Sequence, residues 1–122
     1  TRALELLPIA QEKGIGIING FPLMSGRKVL PWHPANQEDR RVFREAAALC
    51  ERHGVPISKL VLQFSSKNAS FPTTLFSSTC SESVRRNVAW HEEPFDPALL
   101  AAVQKVLAPV LNKQWDYDAV IE

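Results

Sequence analysis

The chain has 122 residues, 45% hydrophobic and 22% charged, the ordinary composition of one globular domain. Lys and Arg number 14 against 13 Asp and Glu, so no net field steers the chain toward nucleic acid or an anionic membrane. No apolar run reaches the roughly 18 to 20 residues of a membrane span, and Cys50 and Cys80 fit neither metal-ligand spacing nor a disulfide framework, so a metal-free protein of the reducing cytoplasm is expected.

The chain opens on Thr1 inside a helical pattern, which predicts sequence upstream of it. Leu4, Leu7, Ile9 and Ala10 have helical spacing, closed by Lys13 and Gly14 despite Pro8. Ile15 to Asn19, between Gly14 and Gly20, is a β-branched run predicting a strand buried on both faces. Phe21 to Gly26 reads as a loop, prolonged by Arg27 to Pro34 with Trp32 and His33. Asn36 is placed to cap a helix reaching His53 and stopping at Gly54, with Val42, Phe43, Ala46, Ala47, Leu49 and Cys50 inward.

Pro56 or Ser58 restarts a helix bearing Ile57, Leu60, Val61 and Phe64. Thr73 to Phe76 is the second strand candidate. A hydroxyl-rich loop, Ser77 to Ser81, leads into a short helix around Val84 and Val88, for which Ser81 is the expected cap. Asp96-Pro97 signals a last helix carrying Leu99, Leu100, Val103, Val106, Leu107 and Val110, which Pro109 should kink or end. Strands alternating with helices predict βα units and a parallel sheet. Two parallel strands make no self-sufficient sheet, so the piece reads as part of a larger one.

Two loops follow the strands, the end at which α/β folds bind ligands. In the first, Gly20 and Gly26 permit close backbone approach and Ser25 can donate to a phosphate oxygen; a plain exit turn is the competing reading. In the second, Ser77, Ser78, Thr79, Cys80 and Ser81 precede Arg85, Arg86 and Asn87, suiting a phosphate or ribose; a serine-rich cap with a solvated basic face competes. Together they are more specific, because loops after adjacent parallel strands would line one ligand. His33, His53 and His91 share no motif with a nucleophile, so a hydrolytic triad is not predicted. Glu92-Glu93 reads as a solvated turn, and Cys80 as a small buried cysteine.

The run from Gly14 to Gly26 resembles the seventh strand and following loop of aldo-keto reductases. Pro56 to Ser65 is similar to that family's next barrel helix, and Thr73 to Val88 to its eighth strand and cofactor helix. Pro31-Trp-His-Pro-Ala35 and Pro109 to Trp115 narrow the likeness to the L-galactose dehydrogenase branch. The likeness implies that residues 1–122 are the C-terminal segment of one partial domain, about two strands with flanking helices and a C-terminal helix from a (β/α)8 TIM barrel.

It also implies roles. Phe21, Leu23 and Ser25 fall at cofactor positions, Leu23 and Ser25 at the pyrophosphate; Ser77, Ser78 and Thr79 near the adenosine phosphate and ribose; Arg86 and Asn87 beside the adenine. Trp32, His33 and Trp115 fall in loops that shape substrate choice. The family's catalytic Asp, Tyr, Lys and His lie on earlier strands, so no catalytic residue is assigned here. Four positions depart from the pattern: Gly20 stands where many members carry an aromatic, Phe21 where a serine is usual, Ser77 where a glycine is customary, and Arg86 where an acidic residue is usual.

The implied function is cofactor binding within an NAD(P)-dependent oxidoreductase acting on a sugar or aldehyde carbonyl. NAD is favoured over NADP, because Ser77 to Ser83 carries no Arg or Lys while Glu82 would repel a 2′-phosphate. The implied partners are a nicotinamide dinucleotide and a small carbonyl or sugar substrate, with no nucleic acid or membrane. A truncated, non-catalytic relative serving as an interaction module is the alternative.

Overall fold

The computed structural model describes residues 2–20 and 35–113, with side chains from Glu5 onward. The elements run α1 (Arg2–Glu12), β1 (Ile18–Gly20), α2 (Gln37–Arg52), α3 (Ile57–Ser66), β2 (Thr73–Leu75), α4 (Ser81–Glu92) and α5 (Pro97–Leu107), then a 3₁₀ turn at Ala108–Val110. The chain is thus α/β, with five α-helices and two strands among the described residues.

These elements divide into two compact units, Thr1–Leu23 with Lys59–Phe95, and Met24–Ser58 with Asp96–Glu122. In the first, β1 and β2 pair in parallel, with Ile18 opposite Thr73, Asn19 opposite Thr74 and Gly20 opposite Leu75. The predicted parallel sheet is therefore present, and side chains alternate between its faces. Ile18 and Leu75 share one face and are 62% and 55% exposed. The expectation of a first strand over Ile15 to Asn19 buried on both faces is corrected accordingly. The strand is shorter, shifted toward Gly20, and open on one face, because no described layer covers it. On the opposite face Thr74 Oγ1 donates to the Ser65 carbonyl at 3.1 Å and ties β2 to the end of α3.

α1 stops where expected, at Gly14, whose φ of +63° lies in the left-handed region that glycine enters without cost. The inward face of α3 differs from its sequence reading. Leu60 is buried as expected, but Leu62 and Gln63 are buried beside it, while Phe64 is 43% exposed. Gln63 is admitted to the interior because its Nε2 donates to three carbonyls at the end of α4, those of Trp90 at 2.8 Å, Glu93 at 3.1 Å and Pro94 at 3.3 Å. Lys59 pairs with the Glu93 carboxylate, and Lys67 Nζ donates to the Glu93 carbonyl at 3.1 Å. Glu93 is therefore an anchor, and the reading of Glu92-Glu93 as a solvated turn is corrected: Glu92 is exposed but is the last residue of α4, and Glu93 is held by Lys59 and Lys67.

The second unit is helix on helix. α2 begins as its sequence indicates, with Asn36 Oδ1 accepting from the Asp39 amide at 2.9 Å, and ends before Gly54 at φ +68°. Val42, Ala46 and Cys50 form a buried stripe at i, i+4, i+8. α5 packs against it and contributes Leu99 and Val103. Asp96 Oδ1 accepts from the Leu99 amide at 2.9 Å, so the predicted cap and proline start are both present. Pro109 sits in the 3₁₀ turn that ends α5, and Val110 is buried there. Asp39, which reads in the sequence as an ordinary first-turn acid, is buried. Lys113 Nζ compensates it, donating to both carboxylate oxygens at 2.9 and 2.7 Å.

Candidate functional site

The parallel register decides where the two loops begin. Gly20 and Leu75 are opposite one another at the ends of their strands, so the segments that follow both leave the sheet at its C-terminal edge. The first of these segments, with Phe21, Leu23, Ser25, Trp32 and His33, lies outside the described residues, as does Trp115. The second is described throughout. Ser77, Ser78 and Thr79 are exposed, and Ser78 Oγ accepts from the Cys80 amide at 3.1 Å, folding the loop back before α4.

α4 begins at Ser81, and Cys80 rather than Ser81 occupies the capping position. Cys80 is also exposed, which corrects its reading as a buried cysteine. Its thiol is held below the ordinary range, first by the Ser83 amide and hydroxyl, then by the Glu82 amide, with a smaller contribution from the Arg86 cation. Burial pushes the Cys50 thiol the opposite way. Thiol alkylation should therefore label Cys80 first, at a pH where an unperturbed thiol is still largely protonated, and leave Cys50 untouched in the folded protein. Mass spectrometry of partially labelled protein checks this, and equal labelling of the two sites would contradict it.

Arg86 and Asn87 are adjacent in sequence but differently placed. Arg86 is exposed, with its guanidinium carbon 5.0 Å from the centre of the Trp90 ring and Nη2 donating to Ser83 Oγ at 3.2 Å. Asn87 is only 4% exposed and lines a half-open cleft of about 320 Å³. Leu62 and Phe76 supply apolar wall; Ser66, Thr74 and His91 add polar groups. No hydrogen bond joins the Asn87 carboxamide to a described residue. Among the described residues no fully enclosed side-chain polar atom lacks a partner, so the carboxamide atoms keep some exposure in a residue that lines the cleft.

Sequence reasoning missed the cleft because α3, β2 and α4 bring its walls together from separate stretches. It also missed the contact between Ser66 Oγ and His91 Nδ1, 2.9 Å apart. Their only sequence signal is that Asn87 and His91 are four residues apart on one helix, hence on one side of it. No third described group hydrogen-bonds to this pair, and no described trio of His, Cys, Asp or Glu side chains is arranged to hold a metal ion. No described helix is long and apolar enough to cross a membrane.

The donor set fits a nucleotide. A carboxamide offers a donor and an acceptor side by side, matching the adjacent amino group and ring nitrogen of adenine. Asn87 lies six residues beyond the start of α4, about 9 Å along the helix at 1.5 Å per residue. A base in the cleft and a phosphate near the hydroxyl loop would then be roughly one nucleoside apart.

This chain belongs to the aldo/keto reductase family, whose sequence model matches residues 2–108. Within the family it is similar to the L-galactose dehydrogenase of Arabidopsis thaliana, 34% identical over 120 aligned residues. That alignment takes in 92% of this chain and 38% of the plant protein, so the chain spans well under half the length of its relative.

Proposed function

We propose that the chain is the C-terminal, cofactor-binding segment of an oxidoreductase that exchanges hydride between a nicotinamide dinucleotide and the carbonyl of a sugar or aldehyde. Residues 1–122 then form part of one domain, and β1 and β2 are the last two strands of a (β/α)8 barrel. Family membership supports this reading, as does the bare sheet face carrying Ile18 and Leu75, which side chains from the other strands of a closed barrel would cover. The observation that carries the cofactor assignment is the Asn87 carboxamide, unmatched by any described residue and one helix stretch away from a loop of exposed hydroxyls.

In this reading Asn87 holds the adenine edge in the cleft. Ser77, Ser78 and Thr79 offer hydroxyls to the adjoining ribose and phosphate, while on the neighbouring strand's loop Leu23 and Ser25 serve the pyrophosphate and Phe21 is a further cofactor position. Arg86 flanks the adenine from outside the cleft. Trp32, His33 and Trp115 shape the substrate side. The bound nicotinamide supplies hydride chemistry, while the proton donor belongs to strands upstream of this chain.

NAD is the favoured cofactor. Glu82 places a negative charge in the first turn of α4, and the nearby Arg86 cation is already engaged by Ser83 and Trp90. Fluorescence titration of the protein carrying this chain with its native upstream sequence should show saturable NADH binding, tighter than NADPH. Tighter NADPH binding would overturn the preference, and no binding of either would overturn the cofactor assignment. The second outcome favours the interaction-module alternative, which the glycine at position 20 keeps open.

A further inference from the structure

The ion pair of the second unit has no part in the cofactor assignment. Asp39 is 5% exposed, in the first turn of α2, and Lys113 Nζ reaches it from the surface to donate to both carboxylate oxygens, at 2.9 and 2.7 Å. Packing does not call for this pair, since α2 already presents Val42, Ala46 and Cys50 to α5, and α5 contributes Leu99 and Val103. Taking a carboxylate out of water opposes its attraction to the lysine, so apolar side chains of similar size would hold the helices about as well. What the pair adds is a directed contact, two charge-assisted hydrogen bonds at one place.

That place is a junction in the chain. Ahead of α2, Ala35 is buried and its carbonyl accepts from Arg40 Nε at 2.8 Å, so the backbone enters the helix in a fixed position. Beyond α5, the Val110 carbonyl accepts from the Lys113 amide at 3.2 Å, and Asn112 stands at φ +58°, a left-handed conformation that asparagine tolerates better than most side chains. His33 is two positions before Ala35, and Trp115 is two positions after Lys113. The segment carrying Trp32 and His33 therefore ends, and the segment carrying Trp115 begins, at the two stretches of backbone that the ion pair joins.

Resting on the oxidoreductase reading, with Trp32, His33 and Trp115 on the substrate side, we propose that Asp39 and Lys113 are positioning residues. Their ion pair holds the roots of the two substrate-shaping segments together, and so raises affinity for the carbonyl or sugar substrate without touching it. The residues assigned to the dinucleotide follow the strands instead, and their roots do not depend on this pair.

Asp39→Leu combined with Lys113→Met removes both charges at once, so that no carboxylate is left buried alone, and Glu38 keeps an acid in the first turn of α2. Steady-state rates are measured on the protein with its native upstream sequence, using NADH with a panel of simple aldehydes, D-glyceraldehyde first, and NAD with a panel of aldoses. The double variant should raise KM for the best probe by roughly 5-fold or more with kcat within about 2-fold of the parent, the pattern of binding lost equally from ground and transition states. Its NADH affinity, by fluorescence titration, should stay within about 2-fold of the parent. Asp39→Asn, which keeps the side-chain shape and one acceptor for the lysine, should raise KM less, and Lys113→Arg, whose guanidinium can meet the same two oxygens, should keep the parent KM. A merely structural pair would lower the fraction of active protein, reducing kcat with KM unmoved, and that result overturns the proposal, as does a raised KM that Lys113→Arg shares. A parent inactive on every probe overturns the oxidoreductase reading and this inference with it, whereas an active parent whose KM is unmoved in the double variant and in Asp39→Asn overturns the role of the pair alone.

Discussion

Leu60→Ala is expected to destabilise the protein by about 2–5 kcal/mol, the usual cost of emptying a leucine site in a packed interior. Leu60 is 2% exposed and lies one turn before Gln63 on α3, the helix that joins the sheet to the end of α4. The substitution removes the leucine's apolar contacts and leaves a void that the neighbouring Leu62 and Gln63, both nearly fully buried, have little freedom to fill. Urea denaturation of the protein with its native upstream sequence should show a lower midpoint with an unchanged slope. A change below about 1 kcal/mol would mean that the site collapses freely and that α3 is not the packed support described above.

Gln63→Leu should be nearly as damaging, by a different route. The amide fills a buried position and donates to the carbonyls of Trp90, Glu93 and Pro94, where α4 has ended and its last carbonyls have no helical partner. Leucine occupies a similar volume but donates nothing. The loss is then about 1–3 kcal/mol for the carbonyls left unmatched, with little cavity contribution. Hydrogen exchange should speed up first at the end of α4 and in the turn that follows. A stable Gln63→Leu variant with unaltered exchange there would show that water replaces the side chain without cost. Since His91 immediately follows Trp90, the same variant should also loosen the cleft and weaken dinucleotide binding.

The elements that local chemistry specifies were legible in the sequence. Asn36 and Asp96 each accept from the amide three residues on, and Gly14 and Gly54 both close their helices with positive φ. The stripe Val42, Ala46, Cys50 was also readable, because helical period alone places it on one side. What local chemistry does not specify was read less well. Ile15 to Asn19 has the composition of a buried strand, yet burial depends on layers supplied by distant residues, and Ile18 is exposed here. Gln63 and Asp39 are polar residues in buried places. Each is admitted by a partner 27 or more positions away, Trp90 for one and Lys113 for the other, which no sequence window contains.

The candidate site divides in the same way. The hydroxyl loop at Ser77 to Thr79 was singled out from residue type and its place after a strand, and β2, paired in register with β1, does end just before it. The cap was misplaced by one residue, since Ser81 has the preferred side chain while the backbone turns into the helix at Cys80. Arg86 and Asn87 were placed together beside the adenine by the family resemblance, but successive helical positions point about 100° apart, so one is exposed and the other buried. The cleft itself, with Ser66 and His91, required the fold.

Binding of a nicotinamide dinucleotide through the Asn87 cleft is tested most directly by comparing NADH affinity in the parent and Asn87→Leu proteins, each with its native upstream sequence. Saturable binding that weakens by roughly 10-fold or more on removal of the carboxamide, with urea stability preserved, is the expected result. Equal affinity in the two proteins would contradict the assignment and place the nucleotide elsewhere.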